Sequence, residues 1–245
     1  MVESLDELQI KLFADGANLN EMKTMSNLRH ISGLTTNPTL MNKAGITNYV
    51  DFAKEALEIV EGKPISFEVF SDELSEMCQQ GLILNSLGEN VYVKVPITNS
   101  FGIYTHEVIA ELNKNGVKVN VTAVMHPLQV IKVLDSFDVA IPGYVSIFAG
   151  RIADTMRDPI PFVKETLKVL ADHPKIEVIW ASPREVLNIV QAQDSGCHII
   201  TATADILKKL SFINYDLEKF SLDTVKMFLN DAHKSGFSIS WMNEN

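Results

Sequence analysis

Apolar positions along the chain follow two alternating rhythms. Short runs of strand length, several of them rich in Val and Ile, lie at Ile10 to Ala14, Gly33 to Thr36, Ile65 to Val69, Val91 to Val95, Val117 to Thr122, Val139 to Phe148, Ile176 to Ala181 and Cys197 to Thr201. Continuous apolar runs of this length are what strands buried on both faces of a parallel sheet require. Between them, apolar residues recur at three- and four-residue steps, as in Val50, Ala53, Leu57 and Val60, or Phe162, Thr166, Val169 and Leu170. That is the spacing of helices with one buried face. Helix-start chemistry marks several boundaries: Ser71-Asp72-Glu73, Asp158-Pro159 and Ser182-Pro183 each supply a capping oxygen, a proline or both.

Eight strand-then-helix units predict an α/β protein, one domain over residues 1–245, closed as a (β/α)8 TIM barrel. The rival architecture, an open doubly wound sheet, usually has fewer strands, and no Gly-rich dinucleotide fingerprint follows the first strand. A last amphipathic segment, Asp223 to His233, carries Val225, Met227, Phe228 and Ala232 and has no place in the eightfold pattern. It predicts an extra C-terminal helix that either packs on a neighbouring subunit or closes the outside of the barrel.

Composition narrows the classes of partner. The 245 residues hold 21 Lys+Arg against 31 Asp+Glu, a net charge of −10, which is the wrong sign for neutralising a phosphate backbone. No nucleic-acid partner is expected. Mean hydropathy is +0.08 and 46% of residues are hydrophobic, the balance of an ordinary globular chain. The segment Met1 to Leu8 is acidic and lacks the basic and apolar regions of a signal peptide, and no run approaches the ~18 apolar residues of a membrane span. The expectation is a cytoplasmic protein with no membrane attachment. Cys78 and Cys197 read as buried free thiols, and neither they nor His106, His126, His173 and His198 fall at metal-ligand spacings, so no metal is expected.

A barrel collects its chemistry at the carboxyl ends of the strands. The polar residues there are Asp15, Thr36, Asn37, Glu68, Lys94, Asn120, Thr122, Arg151, Ser182 and Arg184. Lys94, inside Val91-Tyr92-Val93-Lys94-Val95-Pro96, must either pair its charge or lose it. If paired, to Glu68 or Asp15, it is a buried ion pair; if neutral, it is a nucleophile able to form an imine with a carbonyl. Imine chemistry needs a general acid and base, and Asp15 and Glu68 are available. Asp15, in Asp15-Gly16-Ala17-Asn18, also suits a turn or a helix cap. Arg151 and Arg184 suit a phosphate clamp, or else surface pairing with Asp154 and Glu185.

At these residues the chain resembles the transaldolase family, including the fructose 6-phosphate aldolases, over about 220 residues. Gly33-Leu34-Thr35-Thr36-Asn37-Pro38-Thr39-Leu40 is similar to that family's second-strand signature, and Val91 to Pro96 to its Schiff-base strand. The resemblance implies that Lys94 forms the imine, that Asp15 exchanges a proton with the C4 hydroxyl, and that Glu68 activates a water which Thr122 helps to hold. It implies that Thr36, Asn37, Asn120, Phe148 and Ser182 surround the dihydroxyacetone portion and that Arg151 and Arg184 bind phosphate. The activity implied is transfer of a dihydroxyacetone unit from sedoheptulose 7-phosphate or fructose 6-phosphate to an aldose phosphate, as in the pentose phosphate pathway, with no cofactor. The alternatives are an aldolase releasing free dihydroxyacetone, a transaldolase for another anionic ketose, or a non-catalytic sugar-phosphate-binding barrel. The aldolase branch typically has Gln where Glu68 stands and Tyr where Phe148 stands, so both positions read as transaldolase. Pro183, where the family commonly has an aromatic residue, and the bulky Trp180 depart from the pattern. In the compact subfamily a C-terminal helix reaching a neighbour supports ring-like oligomers, which implies a homo-oligomer here.

Overall fold

Eight parallel strands close in sequence order, each hydrogen-bonded to its chain neighbours and the eighth to the first. The computed structural model describes residues 4–237 and residue 239; Met1 to Glu3 of the acidic start lie outside them. The strands are β1 (Lys11–Asp15), β2 (Ile31–Thr35), β3 (Ile65–Glu68), β4 (Val91–Pro96), β5 (Val119–Val124), β6 (Gly143–Ile147), β7 (Ile176–Trp180) and β8 (Ile199–Thr203). The helices are α1 (Leu19–Ser26), α2 (Pro38–Lys43), α3 (Tyr49–Val60), α4 (Leu74–Asn85), α5 (His106–Lys114) and α6 (Pro127–Ile131). They continue with α7 (Ala149–Ala153), α8 (Ile160–Val169), α9 (Leu187–Asp194), α10 (Ala204–Leu207) and α11 (Leu217–Lys234). The expected TIM barrel and its extra C-terminal helix are both present. No helix among the described residues is long and apolar enough to cross a membrane.

The interior is layered by the two-residue period of the strands. Phe13, Tyr144, Ile179 and Ile199 form a buried floor with Tyr92 against it, and the Tyr92 and Tyr144 rings stack with centroids 4.0 Å apart. Gly33 makes room for this floor, because a Cβ there would lie 2.5 Å from the Phe13 ring. Two residues beyond Phe13, Gly33, Tyr92, Tyr144, Ile179 and Ile199 come Asp15, Thr35, Lys94, Ser146, Ala181 and Thr201, all of which line one cavity. The floor therefore closes one end of the barrel with apolar surface and leaves the polar layer to the other.

Several boundaries differ from the pattern. β6 begins at Gly143 rather than Val139, because Asp138 turns the chain, its carbonyl accepting from Ile141 N–H at 3.0 Å, and Val139 is 57% exposed. Ser182-Pro183 opens no helix. Ser182 takes a left-handed φ of 59°, and the Asn188 Oδ1 accepts from the N–H groups of Arg184 and Glu185 at 2.7 and 3.1 Å, so α9 starts only at Leu187. At the other two marked starts the helices begin at Leu74 and Ile160, with Ser71 Oγ and Asp158 Oδ1 accepting backbone N–H groups just before or at the first turn. Cys197 is buried, but Cys78 is only partly so.

α11 starts at Leu217, six residues earlier than Asp223, since Asp216 caps it by accepting from Lys219 N–H at 2.7 Å. Phe220 stacks on Phe212 at 5.1 Å, yet no residue of the helix is buried and Val225, Phe228 and Leu229 are exposed. It does not close the outside of the barrel.

Candidate active site

The polar layer opens into a cavity of about 660 Å³ at the carboxyl ends of the strands. Lys94 points into it from β4. Its Nζ lies 3.0 Å from Glu68 Oε2 and donates to the Thr36 carbonyl at 2.9 Å. Glu68 and Lys94 are Cα partners across β3 and β4, so strand register alone brings acid and amine together. The pair is largely dry, with side-chain exposures of 15% for Glu68 and 7% for Lys94. Of the two readings open at the sequence level, the ion pair exists, and it lies on the wall of the cavity.

Asp15 stands across the barrel at the end of β1. Its Oδ1 accepts from Thr35 Oγ1 at 2.8 Å, and Asn37 Nδ2 approaches Oδ2 at 3.5 Å. Thr35 has one hydroxyl proton and gives it to the carboxylate, so Thr201, 2.6 Å from the same oxygen, donates to Thr35. Burial pushes the Asp15 carboxyl above the ordinary aspartate value, against the opposing pull of Lys94 and the Thr35 hydrogen bond. Asp15 caps no helix: Asn18 does that for α1 by accepting from Glu21 N–H at 3.0 Å.

Asn37 caps α2, its Oδ1 accepting from Leu40 N–H at 3.0 Å with Pro38 in the first helical position, which turns its amide nitrogen toward the cavity. Thr122 also lines the cavity, and its buried Oγ1 has no hydrogen-bond partner among the described residues. Phe148 lines it from the start of α7. Two anticipated residues do not line the cavity. Thr36 spends its hydroxyl on the Ser66 carbonyl at 3.0 Å and contributes only the carbonyl that holds Lys94. Asn120, fully buried, donates to Ser66 Oγ at 3.0 Å and accepts from Ser146 Oγ at 2.8 Å.

Arg151, Ser182 and Arg184 line the same cavity after β6 and β7. Arg184 holds Asp154 through both Nε, at 3.0 Å, and its terminal nitrogen, and donates to Ser182 Oγ at 3.2 Å. The expected surface partner Asp154 is thus real, and Arg184 pulls its carboxyl below the ordinary range. The Arg151 side chain makes no hydrogen bond or ion pair among the described residues. The α7 turn that carries Arg151 meets the Arg184 loop at Gly150, where a Cβ would lie 1.7 Å from the Ser182 carbonyl oxygen. Gly150→Ala should therefore push the Ser182 loop away and raise KM for phosphorylated sugars by about tenfold or more, while unphosphorylated analogues change little; steady-state kinetics on both sets checks this.

Trp180 is 1% exposed and packs toward the helical layer, outside the cavity, whereas Pro183 lines it. Sequence reading passed over Thr35, Ser146 and Thr201. Each could have been found by stepping two residues beyond a floor position on its strand. Among the described residues, no group of three or more His, Cys, Asp or Glu side chains is placed to hold a metal ion.

Residues 12–242 match the family model described as transaldolase/fructose-6-phosphate aldolase. The chain is 33% identical to a probable transaldolase of Nitrosopumilus maritimus over 92% of its own length and 96% of that protein's. It is 33% identical to probable transaldolase 1 of Bacillus cereus over 89% and 98%. Its fold is similar to that of the 4-hydroxy-tetrahydrodipicolinate synthase of Methylacidiphilum fumariolicum SolV, with a TM-score of 0.55 at 11% identity, covering 82% of this chain and 70% of that one.

Proposed function

The chain belongs to the transaldolase/fructose-6-phosphate aldolase family, and from that premise we propose that it transfers a dihydroxyacetone unit from fructose 6-phosphate or sedoheptulose 7-phosphate to an aldose phosphate through an imine on Lys94. The observation that carries this reading is the Lys94 amine, 3.0 Å from Glu68, facing the same cavity as Asp15. Glu68 accepts the ammonium proton, and the neutral nitrogen attacks C2 of the ketose. Loss of water from the carbinolamine, protonated by way of Glu68, gives the iminium ion, with Thr122 Oγ1 as a partner for that water. Asp15 takes the C4 hydroxyl proton, the C3–C4 bond breaks toward C3, and its electrons neutralise the iminium nitrogen as an enamine. The first aldehyde leaves, a second enters, and the same steps run backward.

Asn37 orients the bound unit, with Ser146 contributing from the wall that Asn120 braces and Thr36 fixing the amine from behind. Arg151, Arg184 and Ser182 take the phosphate, and Phe148 keeps that side of the cavity without a hydroxyl that would help water discharge the enamine. Phe148→Tyr should raise release of free dihydroxyacetone relative to transfer, and an unchanged ratio would remove Phe148 from the account.

Incubation with fructose 6-phosphate and borohydride should leave a stable mass on Lys94. Sedoheptulose 7-phosphate should form only when erythrose 4-phosphate is added. Dihydroxyacetone without acceptor would make the enzyme an aldolase, and no adduct with any anionic ketose would leave a sugar-phosphate-binding barrel. We also propose a homo-oligomer joined through the exposed apolar face of α11. Light scattering should show a multimer that Phe228→Lys dissociates; a monomeric wild type would end that proposal.

A further inference from the structure

β2 and β3 part company early, and what fills the gap bears on Glu68. The β2–β3 ladder holds only Leu34 with Ile65 and Thr35 with Ser66, and its last bond runs from Thr36 N–H to the Ser66 carbonyl at 3.1 Å. Beyond it β2 is lost, because Asn37 and Pro38 turn the chain into α2. β3 continues on its other edge, where Val69 N–H still donates to the Lys94 carbonyl at 3.0 Å. Backbone groups alternate between the two edges of a strand, so the N–H and carbonyl of Glu68 face the side that β2 has left. Unpaired, they would be buried polar groups without partners, and the strand end carrying the carboxylate would be free to shift.

One hydroxyl satisfies both. Tyr49, in the first turn of α3, accepts from Glu68 N–H at 2.8 Å and donates to the Glu68 carbonyl at 2.8 Å. Its ring is locked in place by edge contacts with Phe67, at 6.4 Å between centroids, and by Phe70 at 5.6 Å. The helix start that delivers it is itself capped by Asn48, whose Oδ1 accepts from Asp51 N–H at 3.2 Å. Tyr49 does not itself line the cavity and bonds to Glu68, which does, so it acts on the site from behind that residue.

We propose that Tyr49 is the positioning residue for Glu68, its hydroxyl replacing the absent β2 partner and thereby fixing the carboxylate oxygen beside the Lys94 amine. The proposal rests on the imine chemistry above and adds a second-strand substitute that the reaction depends on. A side chain that holds a proton acceptor at 3.0 Å from the nucleophile acts on the chemical steps and not on substrate capture.

Tyr49→Phe keeps the ring and deletes both hydrogen bonds. In that variant kcat for transfer should fall by roughly ten- to a hundredfold, with KM for fructose 6-phosphate within about twofold of wild type. The same substitution in a Glu68→Gln background should cost less than about threefold, because the carboxylate it positions is already gone. Should Tyr49→Phe fail to accumulate folded protein, 4-fluorophenylalanine at position 49 fills the volume of the hydroxyl without donating, and the same loss of kcat is required of it. A kcat within about twofold of wild type, or an equal loss with and without Glu68, overturns the proposal and leaves Tyr49 a packing residue. Borohydride trapping on the wild-type enzyme runs alongside: no adduct there defeats the imine reading itself, whereas trapping with an unaffected Tyr49→Phe variant defeats only the role of Tyr49.

Discussion

Lys94→Arg should lose transfer activity by a factor on the order of 10⁴ or more and still fold like the wild type, whereas Lys94→Ala should lose both activity and stability. Neither side chain can form an imine, so the activity loss is common to the two. The difference lies in the ion pair. Arginine keeps a cation for Glu68, while alanine leaves a carboxylate of 15% exposure with no countercharge. Removing one partner of a fully buried pair costs about 3–5 kcal/mol. The cost at Lys94 should fall toward the lower end, because Glu68 borders the cavity and water reaches it there. Urea titration and product assays on the two variants separate the roles. Transfer by Lys94→Arg near the wild-type rate would end the Schiff-base assignment, and equal stability of the two variants would end the account of the pair.

Asp15→Asn should lower kcat by about 10² to 10⁴, the usual contribution of a positioned acid or base, and at the same time stabilise the protein at neutral pH. The folded-state carboxyl is raised above its ordinary value of 3.8 by burial, and the unfolded chain keeps the ordinary value. Between the two the folded protein binds more protons than the unfolded one, so stability falls as pH rises through that window, and the full penalty is present above it. An asparagine has no charge to desolvate and can still accept from Thr35 Oγ1. The denaturant midpoint of the variant should therefore exceed that of the wild type at pH 7, with the gap closing below pH 3.8, where both carboxyl forms are protonated. The acid limb of kcat/KM in the wild type should likewise lie above the ordinary aspartate range. A variant less stable than wild type at pH 7 would show that the charge of Asp15 is better compensated than its surroundings imply.

These two residues illustrate how far the chain could be read before its structure. Lys94 stands out by context, since a lysine between valines in a buried strand must either pair its charge or lose it, and which of the two holds is not written in the chain. Asp15 does not stand out, because Asp-Gly-Ala-Asn is equally good turn or cap chemistry, and only the fold shows that Asn18 caps the helix and frees the aspartate. Thr36 follows the end of β2 as expected, with its hydroxyl spent on the Ser66 carbonyl at 3.0 Å, whereas Asn120 is the second residue of β5, level with Lys94 on the interior face, and is taken up by Ser66 and Ser146. The Ser182-Pro183 pair looked like a helix start because its local chemistry is right. A contact from Asn188, together with the glycine gap at Gly150, holds it as a loop.

By itself the sequence determined the alternation of strand and helix, hence the barrel, the strand ends where chemistry collects, and the family signature around Asn37 and Lys94. These are short-range properties: apolar period, turn residues and residue type at a fixed offset decide them within a few positions of chain. The tertiary structure alone decided which polar groups meet. Glu68 reaches Lys94 through strand register, Asp154 reaches Arg184 across two loops, and Tyr49 completes an edge that β2 abandons. Each of these pairs brings together groups well separated along the chain, and their closeness follows from barrel closure and from the demand that every buried polar group find a partner.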